Sequence, residues 1–230
     1  MKIRIEVLLG LLITVSSTGF ALDTTEAFDP GFSDLEVYFG YHGLDNSSES
    51  SVVSAETLIG IGVTGNFSTY VSYAVESNGY LANTEDCFTM GLFWTAIENE
   101  TVKLDLFGST GTGGSIAFGI ESNIDFDNWG FQLQIEETLA NKNSLEREQF
   151  TMLQPLLYYR FSSGVELLSA VDLEYAGNES GEKEFDYSSV SFGVNFPVTE
   201  SIELISQFDL INTGEEETET GISFGFVAGV

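Results

Sequence analysis

The sequence predicts an all-β protein, a transmembrane antiparallel up-and-down β-barrel of about 12 strands. Three observations lead to this fold class. Apolar and polar residues alternate with a period of two, the connections between alternating segments are sorted by length, and the N-terminus has the form of an export signal. No window after the N-terminus holds the roughly 18 consecutive apolar residues that indicate a membrane-spanning helix.

The N-terminal segment predicts a signal peptide over residues 1–21. Lys2 and Arg4 precede an apolar stretch that ends near Val15, and small residues lead to Ala21, after which cleavage is expected. The apolar stretch is shorter than the roughly 20 residues of a transmembrane anchor. Residues 22–230 then form one barrel domain, because no Pro-rich or Gly/Ser-rich linker divides them.

The first strand shows the alternation most clearly. Leu35, Val37, Phe39 and Tyr41 occupy one face, and the residues between them occupy the other. The windows that follow lack a helical period and carry glycine in mid-segment, so each is a predicted strand. Their apolar faces fall, in order, in Thr57–Val63, Thr69–Val75, Phe88–Trp94, Val102–Leu106, Ile116–Ile120, Trp129–Ile135, Leu153–Phe161, Val165–Leu173, Val190–Phe196, Ile202–Leu210 and Ile222–Phe226.

The connections distinguish a membrane barrel from a soluble β-sandwich. Short turns and longer polar loops alternate, with both termini on the side of the short turns, as in bacterial outer-membrane barrels. In such a barrel the apolar face contacts lipid and the polar face lines the lumen. The short turns lie at Gly65, Asn99, Asn128, Ser163 and Thr199; the longer loops lie at 45–51, 77–86, 141–149, 177–184 and 213–219, with 111–114 as the short exception on that side.

In these features the mature chain resembles the small monomeric outer-membrane channels of Gram-negative bacteria. The resemblance implies a location in the outer membrane after signal-peptide cleavage, contact with lipid and lipopolysaccharide, a monomer, and passive diffusion of small hydrophilic solutes. The chain departs from that class at its C-terminus, because such barrels usually finish on an aromatic residue whereas Phe226 is followed by four further residues.

Extending the alternation predicts an acidic lumen that prefers cations. The chain has a formal net charge of -29, which disfavours nucleic acid and anionic solutes as partners. Channels for acidic oligosaccharides need a basic track, which two lumen-facing cations cannot supply. Predicted to face the lumen are the acidic residues Glu36, Asp105, Glu121, Asp125, Glu136, Glu166, Asp172, Glu174, Glu203 and Asp209, the basic residues Lys103 and Arg160, and, as a possible constriction, Tyr38, Phe93, Phe107 and Tyr158.

No enzymatic activity, cofactor or metal site is predicted. Cys87 is the single cysteine, so neither a disulfide within the chain nor a cysteine-based zinc site can form. Two alternatives to a channel stay open. One is a closed barrel with a structural or surface-interaction role through its acidic extracellular loops. The other is an outer-membrane hydrolase that uses His42, the single histidine, although no G-x-S-x-G motif accompanies it.

Overall fold

The computed structural model describes residues 33–43, 52–78, 83–141, 147–177, 183–199, 201–212 and 218–229. The predicted signal peptide, residues 1–21, lies outside them. Among the described residues, no helix is long and apolar enough to cross a lipid bilayer. The described chain folds into twelve strands: β1 (Ser33–Gly43), β2 (Val52–Thr64), β3 (Phe67–Asn78), β4 (Asn83–Glu98), β5 (Val102–Gly111), β6 (Ile116–Phe126), β7 (Trp129–Asn141), β8 (Arg147–Arg160), β9 (Glu166–Gly177), β10 (Lys183–Thr199), β11 (Ile202–Asn212) and β12 (Thr218–Gly229).

The strands form one closed antiparallel barrel in which each strand pairs with its neighbours in the chain. Closure is made by β1 and β12, which pair from Asp34 opposite Gly229 to Gly43 opposite Thr220. Closure leaves no strand edge unpaired, and this is the condition under which strands are stable in hydrocarbon. The predicted fold class, an up-and-down barrel of twelve strands, is confirmed.

Short turns occupy one end of the barrel, as the sequence predicted. Gly65 and Asn66 join β2 to β3, and Asp127, with a positive φ of 52°, and Asn128 join β6 to β7. At the opposite end a single 3-10 turn, Thr112–Gly114, joins β5 to β6.

Several strands extend further than the alternation alone indicated. β8 begins at Arg147 and β10 at Lys183, inside segments that were predicted to be loops. β12 continues through Gly229, beyond the last apolar residue of the predicted alternation, Phe226. The added ends of β8 and β10 carry charged and polar residues, which remove the apolar signal of a strand while leaving its backbone pairing intact, as where Arg147 stands opposite Asn141.

The outward face of the barrel is apolar. Phe39 on β1, Trp94 on β4 and Phe224 on β12 are each at least half exposed, and large apolar residues at alternate positions around the barrel are exposed as well. A soluble monomer rarely exposes so large an apolar surface. A barrel in lipid requires one, because its outer surface contacts acyl chains. The expected inversion of the alternation, apolar outside and polar inside, is therefore present.

The inward face contains two apolar clusters among otherwise polar residues. One lies on β1, β8, β9 and β11, and the other on β2 to β5, so the two clusters occupy different parts of the barrel wall. The first consists of Tyr38, Leu156, Tyr158, Leu168, Ala170 and Ile205, with Val227 packed against it, and the second of Leu58, Tyr70, Phe93 and Phe107.

Candidate functional site: the barrel lumen

The predicted lumen-facing carboxylates lie on strand positions that alternate with the exposed apolar residues. Glu136 and Glu203 are half-buried, and Asp125, next to the turn between β6 and β7, is exposed. The others are almost fully buried inside the barrel: Glu36, Asp105, Glu121, Glu166, Asp172, Glu174 and Asp209.

Two further buried carboxylates, Glu56 and Glu76, were not among the predicted residues. Glu56 precedes Leu58 on β2, and Glu76 follows Ala74 on β3, with the same parity as these inward-facing residues. Continuing the alternation by one step at the loop-side end of each strand would have found them. They add acidic groups to the part of the wall formed by β2 and β3.

The two predicted lumen-facing cations lie toward the short-turn end of the barrel. Lys103 lies near the start of β5, with its Nζ 3.9 Å from Asp105 Oδ2. Arg160 ends β8, and its Nε donates to Glu166 Oε1 at 2.5 Å while half of its side chain stays exposed. The guanidinium carbon lies 5.9 Å from the centre of the Tyr158 ring. Each cation is thus partnered by a carboxylate on its own or a neighbouring strand.

The wall from β8 to β11 binds its carboxylates with neutral donors. Asp172 accepts hydrogen bonds from Gln154 on β8 and from the Ser189 hydroxyl on β10, the latter at 2.6 Å. Such donors satisfy the oxygens of a buried carboxyl group. Asp209 on β11 is held in the same way by the Ser191 hydroxyl, at 2.6 Å, and by Gln207.

The wall from β5 to β7 differs, because several of its buried side-chain acceptors have no hydrogen-bond partner among the described residues. Asp105 stands directly opposite Glu121, and Asn123 stands directly opposite Gln132. Asn123 Nδ2 donates to Glu121 Oε1 at 3.0 Å. Both Asp105 carboxylate oxygens, Asn123 Oδ1 and Gln132 Oε1 are buried without a hydrogen-bond partner among the described residues.

Three of the four aromatic residues predicted to constrict the lumen cover glycines on a neighbouring strand. Tyr38, Phe107 and Tyr158 stand directly opposite Gly225, Gly119 and Gly130. A Cβ built on any of these glycines would lie 2.0–2.4 Å from atoms of the aromatic ring. The rings therefore lie along the barrel wall, where the missing glycine side chain makes room for them.

Phe93, the fourth predicted constriction residue, belongs to a ring cluster on β3 to β5. Its ring centre lies 5.5 Å from that of Tyr70 and 5.7 Å from that of Phe107. Both separations fall in the range of favourable aromatic pairs. Tyr70 in turn covers Gly91, its direct partner on β4.

Some inward-facing side chains are partly exposed to solvent. Several of them lie on β4 to β7, toward the long-loop end of the barrel. Thr89, Ser109, Ala117 and Glu136 are half-buried, whereas Gln154 and Leu156 on β8 are 1% exposed. Thr89, Ser109 and Ala117 lie near the 3-10 turn Thr112–Gly114 at the long-loop end of the barrel. Glu136 is the carboxylate among these four side chains.

His42 lies on β1, where its backbone pairs opposite Gly221 and Val52. Its side chain is outside what the structure describes. Within the described ranges, no three His, Cys, Asp or Glu side chains converge on a site that could hold a metal ion.

A closed antiparallel barrel with an apolar outer surface and a polar interior defines the class of transmembrane β-barrels of the outer-membrane type. Solved structures of this class superpose on the chain. The NanC porin matches with a TM-score of 0.67 at 12% identity, over 84% of this chain and 98% of that one. An outer-membrane channel from Pseudomonas putida F1 matches with a TM-score of 0.66 at 12% identity, over 91% of this chain and 100% of that one.

The KdgM porin in complex with disordered oligogalacturonate matches with a TM-score of 0.59 at 10% identity, over 84% of this chain and 98% of that one. At such identities the likeness shows a shared fold. No protein-family model matches the sequence, and no curated protein matches it.

Proposed function

We propose that the protein is a narrow outer-membrane channel of a Gram-negative bacterium, through which small hydrophilic solutes diffuse passively, with cations preferred over anions. The signal at residues 1–21 would direct export, and residues 22–230 would insert into the outer membrane as a monomer in contact with lipid and lipopolysaccharide. The observation that supports this proposal is the excess of inward-facing carboxylates over Lys103 and Arg160.

The charge distribution supports cation preference through field focusing. Carboxylates on the inside of a low-dielectric wall concentrate cations in the water they border and repel anions. Neutral donors satisfy the carboxylate oxygens of Asp172 and Asp209 inside the wall. The same repulsion disfavours the passage of an acidic solute such as the oligogalacturonate of the KdgM complex.

The packing of the lumen supports a small size limit. Inward-facing residues as long as Glu121, Gln132 and Gln154 are no more than 2% exposed. Side chains therefore fill much of the cross-section and leave the partly accessible stretch along β4 to β7. Hydrated ions and small neutral solutes suit such a passage better than oligomers do.

The test is conductance of the refolded chain in a planar bilayer under a KCl gradient. Steady channels with a reversal potential of the sign for cation permeation support the proposal. A folded barrel that inserts without conducting would contradict it, and so would conduction with anion preference. Refolding is checked independently by the mobility shift of the folded barrel on electrophoresis. This control distinguishes a barrel that has not folded from a folded barrel that does not conduct.

A specific observation favours a second candidate, a closed barrel with a structural or surface-interaction role. The clusters around Leu156 and Phe93 place buried apolar side chains inside the barrel, on opposing parts of the wall. If these side chains meet across the lumen, water and ions are excluded. Absence of conductance from a correctly folded, inserted barrel is the result expected for this candidate.

We propose no chemical step for the lumen and no cofactor. A hydrolase that used His42 as its base would lose activity in His42→Ala, whereas a channel would keep its conductance. The substitution therefore separates an enzymatic role from the other two, provided that esterase and protease activity are assayed on the same preparation.

A further inference from the structure

We propose that the two apolar clusters of the inward face form one ring across the lumen, and that ions cross this ring beside Glu121 on β6, which makes Glu121 the residue that sets selectivity. The inference rests on the proposed channel function and names the place where ions are discriminated. The first cluster lies on β1, β8, β9 and β11 and the second on β2 to β5, so between them they cover most of the barrel wall.

The register places the two clusters at one depth in the barrel. Because barrel strands are tilted and staggered, a circuit at constant depth passes from each residue to its direct partner on the next strand, or to the inward-facing residue next to that partner, with every displacement in the same direction. On β2 to β5 the circuit passes Leu58, Tyr70, Phe93 and Phe107. Phe107 is the direct partner of Phe93, and each other step leads two residues nearer the short turns than the direct partner.

The circuit continues in the same way through the first cluster. From Leu168 on β9 it passes a glycine on β10 and reaches Ile205 on β11, again nearer the short turns than the direct partner. Ile205 and Tyr38 stand opposite the same residue, Gly225 on β12, which the Tyr38 ring covers. The step from Tyr38 to Leu58 has the same direction as the others. The circuit therefore closes at the depth where it began, and the two clusters belong to one ring.

Polar side chains interrupt this ring on β6 and β7. After Phe107 the circuit passes Glu121 and then Gln132, and the direct partner of Gln132 is Leu156 of the first cluster. A carboxylate and an amide thus stand where the rest of the described circuit carries aromatic, aliphatic and glycine residues. Glu121 and Gln132 are 1% and 2% exposed, so they are packed into the ring as tightly as Leu156, which is 1% exposed.

Inward-facing side chains gain exposure on both sides of the ring. Thr89 and Ala117, toward the long loops, are half-buried, and Asp125 and Arg160, next to the short turns, are exposed. The ring is thus the buried level between two wider mouths, and a solute that crosses the barrel meets its narrowest passage there.

The chemistry of the ring directs ions to its polar sector. An apolar constriction holds back ions, because an ion would lose its hydration there without gaining ligands. The Glu121 carboxylate supplies a compensating charge, and Asn123 Nδ2 donates to its Oε1 at 3.0 Å. At the narrowest level one carboxylate acts on every permeating ion at close range. Its effect should therefore exceed that of a carboxylate such as Asp209, which lies nearer the long loops on β11.

The first experiment compares reversal potentials of refolded full-length variants in planar bilayers under a KCl gradient. Glu121→Gln removes the charge but keeps the Oε1 acceptor for Asn123, and it should lower the cation-to-anion permeability ratio about tenfold. Asp209→Asn, at a carboxylate that is equally buried, should lower the ratio by the smaller factor of about two. Equal shifts in the two variants would overturn the inference, while cation-selective conduction, and with it the proposed function, would stand.

A second pair of variants tests the ring itself and stays decisive if the wild type does not conduct. Leu156→Ser opens the ring beside Gln132 and should raise the single-channel conductance about twofold or more, because it widens an apolar constriction. Met152→Ser is the matched control, since Met152 is a buried residue on the same face of β8 but nearer the long loops. Equal conductance in these two variants would overturn the ring.

A folded wild-type barrel without conductance would contradict the proposed function, and the same two variants would then decide the inference. Conduction in Leu156→Ser but not in Met152→Ser would support the ring as the barrier. Silence in both variants, with the folded mobility on electrophoresis, would overturn it.

Discussion

The ring of Tyr158 occupies the space above Gly130, its direct cross-strand partner on β7, and the tyrosine hydroxyl donates to Asp125 on β6. The Tyr158 side chain on β8 thereby crosses β7 and contacts β6. A Cβ on residue 130 would lie 2.0 Å from Tyr158 Cζ, so the arrangement requires glycine at this position.

Gly130→Ala should therefore destabilise the barrel. The added methyl group displaces the Tyr158 ring and breaks its hydrogen bond to Asp125, with an expected loss of about 1–3 kcal/mol in the free energy of unfolding. Urea unfolding of the barrel in lipid vesicles measures this loss of stability. The control is Gly65→Ala in the β2–β3 turn, where nothing lies within 4 Å of a built Cβ, and its expected effect is within about 0.5 kcal/mol.

A double-mutant cycle isolates the contact. In a Tyr158→Ala background the ring is gone, so Gly130→Ala should cost much less than it does alone. Equal costs in the two backgrounds would show that the glycine is needed for a reason other than the ring.

Features of single strands could be predicted from the sequence, whereas contacts between strands could not. The faces of β1 could be predicted because adjacent residues point to opposite sides, and that needs no knowledge of other strands: Glu36 is buried and Phe39 exposed, as expected. The partner of Tyr158 could not be predicted, because the register between strands depends on the stagger of the whole barrel. For the same reason the pairing of Asp105 with Glu121 became evident only in the structure.

Ser191→Ala tests the hydrogen-bonded wall of the lumen. The hydroxyl of Ser191 donates to the buried carboxyl group of Asp209, and its removal leaves that group with one donor fewer. The expected loss is about 1–3 kcal/mol in the free energy of unfolding. Ser169→Ala is the matched control, since Ser169 is half-buried on the outward-facing side of β9. Equal effects of the two substitutions would contradict the stabilising role of the Ser191 hydroxyl.

Phe192→Arg tests the orientation of the barrel wall. Phe192 lies near the middle of β10 with half of its side chain exposed on the outward face. An arginine at the centre of the hydrocarbon should cost about 2–4 kcal/mol of unfolding free energy in vesicles. Val198→Arg, at the short-turn end of the same strand, should cost about 0–1 kcal/mol because it lies near the interface. A reversed order of these two costs would show that the hydrocarbon is not centred on this part of β10.

Glu136→Gln tests the proposed selectivity at the half-buried carboxylate on the inward face of β7, directly opposite Gly119. Loss of one charge near the passage should lower the cation-to-anion permeability ratio by roughly twofold to tenfold, because the Coulomb energy between one wall charge and a passing ion corresponds to a factor of about this size. The effect should be smaller at high salt, because salt screens the charge. The measurement is the reversal potential in a planar bilayer under a KCl gradient.

The adjacent residue supplies a closely matched control for this substitution. Glu137 has the same side chain but the opposite parity on β7, and its carboxylate accepts a hydrogen bond from the outward-facing Thr151 at 2.7 Å. Glu137→Gln should therefore leave the reversal potential unchanged, because the barrel wall separates its charge from the passage. A shift in Glu137→Gln as large as that in Glu136→Gln would mean that selectivity arises from the overall charge of the protein, and a shift in neither would mean that ions do not pass along β7.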